Sequence, residues 1–156
     1  MVSPDENPSD YFAVAFRIIG DSLDPLTITE LLGLEPDKAC RKGDPNVGIT
    51  KKGKEIHYAP FRTGLWAIDT KLDKHERIQN HIESILECIE PKKEVLTKMS
   101  SEGLRMEFFC GHFFTAGSQA RIILTNEVLK RIADLGIDFR VEMYAFADNQ
   151  KTVHVV

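Results

Sequence analysis

The chain is poor in the residues that staple small secreted domains: three cysteines among 156 residues, Cys40, Cys88 and Cys110, with no Cys-x-x-Cys spacing. An odd, scattered set fits free thiols in a reducing compartment, not a disulfide framework. Positive charge is also in deficit. Twenty Lys and Arg face 24 Asp and Glu, a formal charge of -4, which opposes attraction to phosphate backbones and anionic lipid. Nucleic acid and membrane are accordingly not expected as partners. No apolar run approaches the roughly 18 residues of a membrane span, and Met1 to Asp10 lacks the basic start and apolar stretch of a secretory signal. The expected address is cytoplasmic. No histidine pair has the i,i+4 spacing of a zinc helix, and Gly48 is followed by Ile49 and Thr50, not by the lysine of a phosphate-binding loop. No metal and no cofactor are expected.

What is present, 42% hydrophobic and 28% charged residues, is the make-up of one globular domain. Residues 1–10, with Pro4 and Pro8 among polar neighbours, read as a disordered leader; 11–156 reads as a single domain. Phe12, Val14, Phe16 and Ile18 alternate with Ala13, Ala15, Arg17 and Ile19, the pattern of a strand with one apolar side. Asp24 and Pro25 open a short helix in which the carboxylate can cap free amides, and Gly33 closes it. From Pro36 to Gly64 the periodicity vanishes, apart from a short strand expected near Glu55 to Tyr58.

Gly64 to Thr70 resumes alternation with Trp66 and Ile68 on one side. Ile78, Ile82, Ile85 and Ile89 make the stripe of an amphipathic helix, interrupted at Pro91, and a second helical segment carries Leu96 and Met99. Leu104 to Phe114 alternates again, Met106, Phe108, Cys110 and His112 against Arg105, Glu107, Phe109 and Phe113. Ala120 to Leu124 reads as a further strand, and Thr125 or Asn126 caps a helix ending at Gly136. Phe139 to Tyr144 reads as another strand, with Thr152 to Val156 pairing back across Asp148-Asn149-Gln150. Strand-helix-strand-strand-helix-strand order predicts an α+β, ferredoxin-like sandwich: a mainly antiparallel sheet with its helices on one face.

Tyr11-Phe12-Ala13, Gly20-Asp21-Ser22-Leu23-Asp24-Pro25, Ile28 to Pro36, Arg41-Lys42-Gly43-Asp44-Pro45, Gly64-Leu65-Trp66 and Leu135 to Phe139 occur in this order. Together they resemble the domain of unknown function 4279 family across roughly Tyr11 to Phe146. The resemblance implies a small, bacterial-type α+β domain that often stands alone, and it carries over no catalytic residue.

Lys38 to Lys54 holds six cations against Asp44 alone, a local +5 inside an acidic chain. Arg41, Lys42 and Gly43 with Asp44 suit a small-anion site, donors beside a bare glycine backbone; they equally suit a tight turn in which Asp44 pairs with Arg41. Trp66 reads either as a stacking platform or as a core residue. Cys110 and His112 share a strand face, as a thiolate-imidazole pair, as two metal ligands that lack a third, or as core groups. On the sheet face away from the helices, Arg17, Arg105, Phe109, Arg140 and Tyr144 match a protein contact surface or a solvated Arg-Glu ladder. The leading expectation is a non-enzymatic binding module, monomer or homodimer, that recognises a protein partner or small anion. The alternatives are an enzyme using Asp44 or His112 as base with Arg41 holding an anionic substrate, and a dimeric ligand-sensing domain.

Overall fold

The computed structural model describes residues 10–147. Its elements are β1 (Tyr11–Gly20), α1 (Pro25–Leu32), β2 (Lys38–Cys40), β3 (Asn46–Ile49), β4 (Glu55–Tyr58), β5 (Gly64–Asp69), α2 (Ile78–Ile89), α3 (Lys93–Ser101), β6 (Arg105–Thr115), α4 (Asn126–Asp134) and β7 (Asp138–Phe146). Five strands form one sheet in the order β2-β5-β1-β6-β7, and β3 and β4 pair apart from it. All neighbours in the main sheet are antiparallel except β6 and β7. The expected α+β class and mainly antiparallel sheet therefore hold, but the sheet is mixed. The finer ferredoxin-like arrangement is not shown, since in that pattern every neighbouring pair of strands runs antiparallel. Here β1 and β6 run antiparallel, but β6 and β7 form a parallel pair at the edge, joined through α4 as a parallel crossover requires.

Alternation decides which face is covered. Val14, Phe16, Ile18, Trp66, Met106, Phe108 and Cys110 project to one side and form a single cluster with Ile28 and Leu32 of α1, the isoleucine stripe of α2, Leu96 and Met99 of α3, and Val128 and Ile132 of α4. Burying such side chains stabilises by about 1.5–3 kcal/mol each, which outweighs the weak propensity of these short helices. Pro91 breaks the stripe as expected: a 3-10 turn over Glu90–Lys92 separates α2 from α3. Gly33 ends α1 at φ 65°, in the left-handed region, with its N–H on the Thr29 carbonyl.

Local readings meet three corrections. Ala120 to Leu124 forms no strand; β6 already has β1 and β7 on its two edges, so the segment runs unpaired into α4 while Ile122 and Leu124 pack on the core. Asp24 stands at the start of α1 without capping a backbone amide, because its carboxylate accepts from the Thr27 hydroxyl and the Arg41 guanidinium. Thr125 does cap α4, accepting from the Val128 N–H. Asp10, assigned to the leader, is held: its carboxylate accepts from His112 Nε2 at 3.0 Å and its carbonyl from His75 Nδ1 at 3.0 Å. The rest of the leader and the expected pairing of 152–156 lie outside the described residues. Among those described, no helix is long and apolar enough to cross a membrane.

Candidate functional site

The basic turn after β2 is the root of an arm. Gly43 N–H donates to the Phe61 carbonyl and Phe61 N–H to the Asp44 carbonyl, closing the base of the β3–β4 hairpin. Asp44 takes the Arg41 backbone N–H at 2.7 Å, the turn-forming reading of this residue. The Arg41 guanidinium reaches Asp24 at 2.6 Å and Lys42 Nζ reaches Asp21 at 2.5 Å. Both acids lie below the usual carboxylate range, Asp21 chiefly through Lys42 and Asp24 chiefly through the Thr27 hydroxyl and then Arg41. The two cations thus fasten the arm's root to the β1–α1 turn.

Trp66 is fully buried, with its indole N–H on Thr29 Oγ1 at 3.0 Å, and leaves no ring face open to a ligand. Cys110 and His112 do share a face, inside the core. Burial pushes the Cys110 thiol up to about 12, which keeps it protonated and poorly nucleophilic. His112 stacks on Phe12 at 4.6 Å. It lies beside the start of β1, whereas Asp44 lies near the far end, where Gly20 faces Gly64. The intervening strand is on the order of 25 Å long, so Asp44 and His112 do not line one pocket and His112 does not stand as a base beside Arg41. Asp44 does lie beside Arg41, but as the acceptor of its backbone N–H, while the guanidinium is held by Asp24. Among the described residues, no group of three or more His, Cys, Asp or Glu is arranged to hold a metal ion.

The helix-free face brings together more of the nominated residues. Arg17 and Arg140 both meet Glu107: Arg17 donates through Nε at 2.9 Å and also through Nη2, and Arg140 Nε lies 3.4 Å away. Glu107 is sunk beneath its partners and buried, not exposed as a simple ladder would have it. Arg17 also lies over the Phe109 ring, 4.2 Å from its centroid. The small Ala15, Ala67 and Gly111 on the same face let these long side chains lie flat. Arg105 is exposed at the start of β6, opposite Ile19.

Toward the other end of the strands, register aligns Tyr11, Phe113 and Tyr144 across β1, β6 and β7. Their rings stack at 4.6 and 4.7 Å, and Phe146 lies 5.9 Å from Phe113. Lys74 Nζ stands 4.6 Å over the Tyr11 ring. Tyr144 donates to Glu142 at 2.6 Å, and that bond holds its hydroxyl above the ordinary phenol range. Gly111 permits the row, since a Cβ there would stand 3.0 Å from the Phe113 ring. Tyr11 and Phe146 escape sequence reasoning, because alternation within one strand does not reveal the cross-strand register that stacks them; the aromatics at alternate positions, Phe109 and Phe113 in β6, Tyr144 and Phe146 in β7, are the hint.

Comparison with curated proteins and with solved structures finds no match. The family model described as a domain of unknown function, DUF4279, matches residues 9–146, and the chain belongs to that family.

Proposed function

We propose that this chain is a non-enzymatic binding module that recognises a protein partner through the helix-free face of its sheet. The observation that carries this reading is the stacked row of Tyr11, Phe113, Tyr144 and Phe146, continuing along the face into Phe109 and the Arg17–Glu107–Arg140 group. Rings already stacked lose little conformational freedom when a partner covers them. Aromatic residues and arginines are also the side chains that most often dominate contact energies. Arg17 and Arg140 are balanced by Glu107 and by Glu142 two residues along β7, so the face offers both signs of charge to a partner. A small anion has less to meet at the arm's root, since Arg41 and Lys42 already hold aspartates.

A photo-reactive amino acid in place of Tyr144, and at the exposed Leu129 of α4 as control, tests the proposal in cells. Covalent capture of one partner from position 144 and not from 129 is expected. Binding of that purified partner should weaken by roughly 10- to 100-fold in Tyr144→Ala and Arg140→Glu chains that retain their folded circular dichroism. Equal capture from both positions, or unchanged affinity in both variants, would overturn the reading.

A further inference from the structure

We infer that β7 is a self-pairing edge, joining antiparallel to β7 of a second copy of this chain about a two-fold axis at Val141, so that one sheet runs through both copies with all helices on the same side. The opposite edge of the sheet, β2, is three residues long and opens on Lys38, short and charged as edges that stay single commonly are. β7 has neither device. It is nine residues long, holds no lysine, proline or glycine, and keeps register with β6 without a bulge from Asp138 to Phe146. Among the described residues nothing pairs with its outer side. The Ala116 N–H donates to the Phe146 carbonyl, which turns the main-chain groups of Phe146 and, by alternation, of every even-numbered residue of β7 toward β6. Those of Phe139, Val141, Met143 and Ala145 therefore point outward, a row of donors and acceptors ready for another strand.

The residues of β7 identify the strand. Antiparallel pairing about Val141 sets Arg140 against Glu142 of the second copy, Phe139 against Met143, Asp138 against Tyr144, and Val141 against itself. Opposite residues share a face, so opposite charges meet on the helix-free side. On the other side Phe139 and Val141, already packed against the core, meet apolar partners, and Met143, 56% exposed, is covered. Because Phe139, Val141 and Met143 hold the outward groups, they form the hydrogen-bonded pairs, about six main-chain bonds in all, and Arg140 and Glu142 fall at the positions where opposite side chains come closest. Moving the axis by one residue either way sets Arg140 or Glu142 against its own copy, and like charges directly opposite destabilise. The strand is thus self-complementary in one register, as an isologous contact requires. The paired molecule is left with the two short β2 strands as its edges.

Sedimentation velocity of the full chain at micromolar concentration tests this, with a dimer expected. Met143→Pro, which removes an outward N–H and no bond to β6, and Met143→Lys should each weaken the dimer at least about tenfold in chains that keep their folded circular dichroism. Arg140→Glu and Glu142→Arg should each weaken it too, whereas mixing these two chains restores opposite charges at both positions and should give a heterodimer. In a Cys88→Ser background, an Arg140→Cys chain mixed with a Glu142→Cys chain should form a disulfide on mild oxidation faster than either chain alone, since only the mixture sets the thiols directly opposite. Met143→Pro leaves the helix-free face in place, so capture of a different protein from position 144 should persist in that chain, and the two proposals fail separately. A wild-type monomer, a dimer indifferent to both Met143 substitutions, or mixed chains that neither associate nor cross-link would overturn the inference. A monomer whose Val141 and Met143 amides resist hydrogen exchange would overturn it in favour of residues 148–156 as the occupant of the edge.

Discussion

At the level of single residues, Glu107 shows how a sheet face becomes specific. Its carboxylate is buried between Arg17 and Arg140, and removing a partner from such a group leaves charge without its counterpart. Glu107→Gln is expected to lower stability by about 1–3 kcal/mol, discounted because both guanidiniums retain some water; urea unfolding measures it. His81 makes a second point. Its Nδ1 lies 3.1 Å from Thr70 Oγ1, its ring is fully buried, and desolvation holds its pKa below the ordinary 6.5. The unfolded chain therefore binds this proton at a higher pH than the folded one. Stability is expected to be intact above about 6.5 and to fall as pH drops toward the folded value. A His81→Phe chain should lose that part of the pH dependence below 6.5, read from the urea midpoint.

Among the elements, β5 meets β1 at a point where two glycines oppose each other. A Cβ on Gly64 would stand 2.7 Å from the Gly20 carbonyl and 2.9 Å from Leu23 Cβ, and backbone cannot swing aside as a side-chain end can. Gly64→Ala is expected to cost about 1–3 kcal/mol by forcing the strands apart, whereas alanine at Gly20 meets only the tip of Leu104 and costs less. The arm gives the opposite expectation. Neither β3 nor β4 contributes to the core cluster, so replacing residues 46–58 by a short turn should change the thermal midpoint by no more than a few degrees. A large loss of stability would show that the arm supports the fold. Periodicity made the strands β1, β5, β6 and β7 and the helices readable, because each has one face in the core. It was blind to β2, which is only three residues long, and to β3, whose brief alternation of Val47 and Ile49 faces solvent and not the core.

For the whole molecule, thiol accessibility provides a compact check on the layered arrangement. Cys88 is exposed on α2, while Cys40 and Cys110 are buried. Burial raises both buried thiols, Cys40 by desolvation and Cys110 to about 12. One thiol is therefore expected to react promptly with an aromatic disulfide reagent in the native chain, and Cys110 only at the rate of unfolding. Prompt reaction of Cys110 would mean that the helical layer opens. The α+β class, the apolar stripe of α2, the break at Pro91 and the family were all legible in the chain itself, since they depend on spacing along one segment. The even-numbered residues of β1 and β6 announced a buried face in the same way. Which face Trp66 closed, what Arg41 and Lys42 held, and which aromatics stacked depended on strands and turns far apart in sequence. Those partners, Thr29, Asp24, Asp21 and the row across β1, β6 and β7, were chosen by tertiary register, because hydrogen-bond and ring contacts act only over a few ångströms and only folding brings the groups that close.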